Sequence, residues 1–147
     1  MTRYVIDTNV YVAADRDLAW AQELERFSTA YLPFIHFHAV VAQELLAGAI
    51  DQRREKLVEE SLVQPFERRG RVLVPSFAAW KGAGRILSQL VQRKLLSPGG
   101  FKRSFPNDCV LAASCREVGA TLVTLNREDF ELIGEVIRFE FSEPWPE

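Results

Sequence analysis

The 147-residue chain has little of what holds small secreted domains together: two cysteines, one methionine and two histidines. Cys109 and Cys115 fall in one segment of helical spacing and point to different faces of it, so they cannot bridge each other there. Without a disulfide framework the composition fits a reducing compartment, and a cytoplasmic location is expected. No apolar run is long enough to span a bilayer, and Met1-Thr2-Arg3 leads into a strand-like run rather than a signal segment. His36 and His38 form an i, i+2 pair that could share a strand face. With no third histidine and the cysteines far along the chain, a zinc site is disfavoured and both are read as structural. A hydrophobic content of 48% at this length suffices for one domain, with its core expected over residues 1–141 and a loose tail, carrying two prolines, over 142–147.

One sign of charge is also missing over a long stretch. Residues 71–107 contain no acid, whereas Arg71, Lys81, Arg85, Arg93, Lys94, Lys102 and Arg103 are all cationic. Over residues 117–147 the balance reverses, with eight acids against Arg127 and Arg138. The net charge of −2 is therefore an average over two segregated regions. Solvated helix faces produce such runs, and so does a basic lip that holds phosphates.

What the chain does contain is short apolar runs alternating with helical segments. Tyr4-Val5-Ile6 reads as a buried strand ended by a polar turn, Asp7-Thr8-Asn9. Helical spacing covers residues 18–31 and 39–50, and a charged helix is expected over 51–67. Further strands are expected at 34–37, 72–74, 120–125 and 136–141. A long helix over 77–96 is stopped by Ser97-Pro98-Gly99-Gly100, and Asn107 is placed as the cap of a helix that runs to Val118 and ends on Gly119. Nearly all-apolar strands alternating with helices define an α/β class, an α/β/α sandwich around a mainly parallel sheet. In such sheets sites form beyond the carboxyl ends of the strands.

Four acids occupy positions that a surface acid would not choose. Asp7 ends the first strand, where it could equally form an Asx turn. Glu44 flanks an apolar helix stripe of Val41, Leu45 and Gly48. Asp108 heads a stripe of Leu111, Ala112 and Cys115, although an acid in a first helical turn also complements the helix dipole. Asp129 lies past the strand ending near Thr124, with Glu128 as its rival. Carboxylates gathered at one sheet edge repel one another and persist where cations bind or shared protons serve chemistry, and an all-oxygen site suits Mg²⁺ or Mn²⁺.

The segments Val5-Ile6-Asp7-Thr8-Asn9-Val10, Gln43-Glu44-Leu45-Leu46-Ala47-Gly48, Asn107-Asp108 with Leu111-Ala112-Ala113-Ser114, and Thr124-Leu125-Asn126-Arg127-Glu128-Asp129-Phe130 resemble the PIN-domain family in order and spacing. More narrowly, the chain resembles the VapC-type toxins of bacterial toxin–antitoxin pairs. That resemblance implies a PIN-like fold and a homodimeric endoribonuclease that uses Mg²⁺ or Mn²⁺ and is silenced by a cognate antitoxin. Carried over residue by residue, Asp7, Glu44 and Asp108 match the three core acids and Asp129 the fourth. The family varies at the positions of Asn126 and Asp129, so either or both are open as metal ligands. Thr8, Asn9 and Thr124 match small polar positions of the pocket, and Lys102 and Arg103 belong to the basic run that would hold RNA phosphates. Two rivals stand beside this reading. One is a phosphatase with Asp7 as covalent nucleophile, against which position 9 is Asn rather than a second Asp. The other is a binding module that keeps the fold and mainly docks a partner.

Overall fold

The computed structural model describes residues 2–146; Glu147, at the end of the expected loose tail, lies outside the described residues. Among the described residues five strands form one sheet: β1 (Arg3–Ile6), β2 (Ile35–His38), β3 (Val72–Leu73), β4 (Ala120–Val123) and β5 (Glu140–Ser142). Their order is β3-β2-β1-β4-β5 and every pairing is parallel. The expected mainly parallel sheet is thus wholly parallel. Val5, Ile6, Ile35, Phe37, Leu122 and Val123 are at most 2% exposed, which is why these strands read as continuous apolar runs rather than alternating ones.

The flanking helices are α1 (Thr8–Arg16), α2 (Leu18–Tyr31), α3 (Ala39–Ala47), α4 (Gln52–Val58), α5 (Gln64–Arg68), α6 (Phe77–Gln92), α7 (Phe105–Val118) and α8 (Arg127–Ile133). The helix expected over 51–67 is present but passes through a π-helical turn at Glu59–Val63. Pro65 follows, and its missing N–H removes one bond of the regular ladder. Helix α6 stops at Gln92, short of residue 96, because Lys94 takes a left-handed φ of 59° and Leu95 N–H turns back to the Leu90 carbonyl at 2.9 Å. Gly119 ends α7 as expected, at φ 68°.

Several expectations need correction. The segment after Asp7 is not a turn: α1 begins at once, with Asp7 as its N-cap. The cap position of α7 is Ser104, and Asn107 lies inside the first turn; Pro106 marks this start, since a proline there gives up an N–H that has no helical partner. The last strand is Glu140–Ser142 rather than 136–141. Within the expected tail, Ser142 belongs to β5, and Trp145 stacks on Phe27 with ring centroids 5.1 Å apart. Its indole N–H donates to Glu23 at 3.1 Å.

The direction in which the chain builds the sheet reverses between β1 and β4. From β1 it adds β2 and β3 on one side, then crosses to β4 and β5 on the other. The connections leaving the carboxyl ends of β1 and β4 therefore part from each other, which is where parallel α/β sheets open a crevice.

Candidate active site

Register sets the centre of this crevice. Ile6 pairs with Val123, so the next residues, Asp7 and Thr124, leave adjacent strands side by side. Asp7 N–H still donates to the Val123 carbonyl at 2.9 Å, while its side chain has turned to the helix. Asp7 Oδ1 accepts Thr8 N–H at 2.8 Å; Oδ2 accepts the Thr124 hydroxyl at 2.8 Å and Asn9 Nδ2 at 3.3 Å. The Thr124 hydroxyl also accepts Asn126 N–H at 3.0 Å and Asn9 Nδ2 at 3.2 Å. Asn9 Oδ1 accepts Leu125 N–H at 3.0 Å, which fixes the orientation of its amide and ties α1 to the end of β4.

The other acids arrive from three helices. Glu44, half-buried on α3, accepts the Thr8 hydroxyl at 2.7 Å. Asp108, 6% exposed in the first turn of α7, accepts Asn126 Nδ2 at 3.3 Å. The same amide nitrogen donates to Asp129 at 2.9 Å, so Asn126 spans two acids from α7 and α8. Glu128 is exposed and has no bond to this network. The result is an open cleft of about 460 Å³ lined by Asp7, Thr8, Asn9, Glu44, Asp108 and Asn126 among others, with Asp129 held at its edge through Asn126.

Charge is held here at a cost. Burial pushes the Asp108 carboxyl up to about 8, with Asp7, Glu44 and Asp129 adding repulsion and Lys102 relieving a little of it. Asp7 is raised to about 6, chiefly by burial, against the lowering effect of its bonds from Thr124 and Thr8. An acid kept merely as a helix cap has no need of three further carboxylates close enough to repel it. Among the described residues, no three acid, histidine or cysteine side chains are already gathered tightly enough to hold a metal ion. What fits a hard divalent cation is the donor chemistry: carboxylate oxygens from four elements, beside a cleft open to solvent.

The basic run is dispersed by the fold. Lys102 reaches Asp129 at 3.9 Å, and Arg103 is exposed beside it. Arg71 instead donates to the Leu32 carbonyl at 2.6 Å, Arg93 to the Glu135 carbonyl at 2.7 Å, and Lys81 sits 5.1 Å from the centre of the Phe77 ring. The cation that does line the cleft is Arg16 on α1, which sequence reasoning missed. Its signal was the spacing from Thr8 through Val12, a helical i, i+4, i+8 row that becomes visible only once α1 is known to start at Thr8. His38 is structural: Val40 N–H donates to its Nδ1 at 3.1 Å, so Nε2 carries the proton and donates to Ser114 at 2.8 Å. His36 lies 3.4 Å from the Phe34 carbonyl.

The family model described as PIN domain matches residues 4–136, and the chain belongs to the PIN-domain family. Among solved structures it is similar to DNA-bound VapBC from Salmonella typhimurium, at 19% identity and a TM-score of 0.69, over 97% of this chain and 98% of that one. It is also similar to VapBC2 from Rickettsia felis bound to a promoter DNA fragment, at 21% identity and 0.66, over 99% and 100%. FitAcB from Neisseria gonorrhoeae gives 17% identity and 0.69, over 97% and 98%. At these identities the likeness is one of fold, and it agrees with the PIN-like architecture expected. No curated protein matches the chain. No helix among the described residues is long and apolar enough to cross a membrane.

Proposed function

We propose that the protein is a divalent-metal-dependent endoribonuclease acting as the toxin of a toxin–antitoxin pair. The observation that carries this reading is the acid-lined cleft at the β1/β4 switch point, where burial and mutual repulsion raise Asp7 and Asp108 in a chain of the PIN family. In this reading Asp7 and Asp108 hold the cation, Mg²⁺ or Mn²⁺, and Glu44 and Asp129 complete its surroundings. The bound cation would lower the pKa of a water and neutralise charge on the phosphate under attack. Thr124 and Asn9 fix the Asp7 carboxylate, Thr8 fixes Glu44, and Asn126 keeps Asp108 and Asp129 facing the same space. Lys102, with Arg103 beside it, supplies positive charge at the rim for the RNA phosphates.

The phosphatase reading has no feature of the site in its favour beyond Asp7 itself, whose Oδ2 accepts two donors while Oδ1 caps α1, an orientation that suits a fixed metal ligand. A protein partner has support of its own: an apolar groove of about 680 Å³, walled by Tyr11, Leu24, Leu45 and Leu57, adjoins the cleft and shares Val12, Arg16 and Glu44 with it. An antitoxin segment lying there would reach the acids. The VapBC and FitAcB structures give this fold a precedent in two-component assemblies. The test is digestion of total RNA by the purified chain in EDTA and in Mg²⁺ or Mn²⁺. Cleavage is expected only with metal, and is expected to vanish in Asp7→Asn; full activity in EDTA would sink the proposal.

A further inference from the structure

Arg16 stands where α1 ends, and α1 is the best-anchored helix of the site. Asp7 caps its first turn, Thr8 donates to Glu44, and Asn9 clamps it to Leu125 and Thr124. Two turns on, Arg16 shares the face of Thr8 and Val12 and is the one cation among the described residues that line the acid cleft. It also lines the neighbouring groove, so it marks the junction of the two. The acid next to it in the chain is taken, since Asp15 pairs with Arg54 at 3.0 Å. Arg16 forms no ion pair and no side-chain hydrogen bond with any described residue, although Asp7, Glu44 and Asp108 line the same cleft. With no partner among the described residues, its five donors are open to an external anion at the cleft. A basic residue in the last turn also complements the helix dipole, but that alone does not require it to border the cleft.

We infer that Arg16 is a substrate-contact residue, gripping the phosphodiester group next to the scissile one in a bound single-stranded RNA. This inference rests on the ribonuclease reading. Arg16 comes from α1, and Lys102 precedes α7 beside Asp129, so the strand crosses the acids between two cationic contacts. A guanidinium suits the position because it can take two phosphate oxygens at once.

The experiment is fluorescence anisotropy of a labelled single-stranded RNA of mixed sequence, titrated in EDTA at several salt concentrations with wild type, Arg16→Gln and Arg16→Lys. Arg16→Gln is expected to weaken binding about tenfold at low salt and to shallow the salt slope by about 0.7, the loss of one phosphate contact on a single strand. Arg16→Lys should restore the slope, because it restores the charge, while recovering affinity only in part. In cleavage assays with Mg²⁺, KM should rise for Arg16→Gln with kcat changed much less, and Mn²⁺ affinity by calorimetry should match wild type. Unchanged RNA affinity and slope in Arg16→Gln overturn the inference, whatever the variant does to a protein partner. A wild type that neither binds RNA in EDTA nor cleaves it in Mg²⁺ or Mn²⁺ overturns the ribonuclease reading itself, so the two failures are distinguishable.

Discussion

Replacing Asp108 by asparagine removes one charge from the most perturbed carboxyl of the molecule while nearly preserving its shape. In the folded chain that carboxyl ionises near pH 8, against 3.8 when unperturbed. As pH rises from about 4, the unfolded chain releases this proton first, and the folded state must either keep the proton or bear the buried charge. Stability therefore falls by about 1.4 kcal/mol for each pH unit through this window and levels off once the folded-state value is passed. At pH 7 the accumulated loss is on the order of 4 kcal/mol. The substituted amide cannot ionise in either state, and its carbonyl oxygen can still accept from the amide of Asn126. The metal-free variant is expected to exceed metal-free wild type by about that amount at pH 7, with the difference closing toward pH 4.

Chemical denaturation in EDTA, repeated from pH 4 to pH 8, reads this directly as a gap that opens with pH. Divalent metal should reverse the order at neutral pH. Wild type gains about 2.7 kcal/mol when metal stands at a hundred times its dissociation constant, and the variant, short of a ligand, gains less. A metal-free Asp108→Asn protein less stable than wild type at pH 7 refutes the reasoning. It would mean that the carboxylate is satisfied in place as a helix-terminus acid and is not strained by its neighbours.

Three further outcomes follow from the same contacts. Thr124→Val keeps the shape but takes the hydroxyl from Asp7 and leaves Asn126 N–H without its acceptor; a loss of about 1–3 kcal/mol is expected, with the acidic limb of the pH–rate profile moved to higher pH because the largest effect holding Asp7 down is gone. Ser114→Ala strands the buried Nε2–H of His38 and should cost about 1–3 kcal/mol in denaturant melts, whereas Ser114→Thr, which keeps the hydroxyl, should cost less. Trp145→Ala should lower stability by about 2 kcal/mol, and a loss near zero would show that the tail does not hold its place on Phe27.

Features with a local cause were legible in the sequence. The buried strands are continuous apolar runs, and Asp108 betrays itself by heading a stripe of Leu111, Ala112 and Cys115 that are all fully buried. Asp7 was legible as an acid ending a strand, but the helix behind it was not. An Asx side chain that accepts the next N–H looks the same in sequence whether it closes a turn or opens a helix. That one ambiguity hid α1, and with α1 it hid the row that carries Arg16 to the cleft. Asn107 misled for a related reason: it is a good cap residue, but Pro106 in front of it already belongs to the first helical turn. The two readings of the basic run could not be separated in sequence because charge density along a chain says nothing of which face each side chain takes; Arg71 and Arg93 direct their donors to backbone carbonyls outside the acid cleft.

Asp7 has two roles that pull its charge in one direction and its solvation in the other. As N-cap it is favoured ionised, since the first N–H groups of α1 and the positive end of the helix dipole face it. Burial at 3% exposure works against that charge and wins, raising the carboxyl to about 6 despite three donors. Protonation near that value would weaken the cap and the Thr124 bond, yet the raised folded-state value means that falling pH relieves the buried charge and favours the folded site over the opened one. A cation in the cleft relieves the same cost without protonation, because it favours the ionised carboxylate that the cap also prefers. Metal binding and the docking of α1 are therefore coupled through a single side chain. Asp7→Asn, which keeps an acceptor for Thr8 N–H but carries no charge, separates them: the helix should stay capped while the cleft loses its affinity for divalent metal. Loss of α1 protection from hydrogen exchange in that variant, at neutral pH and without metal, would contradict this account of the site.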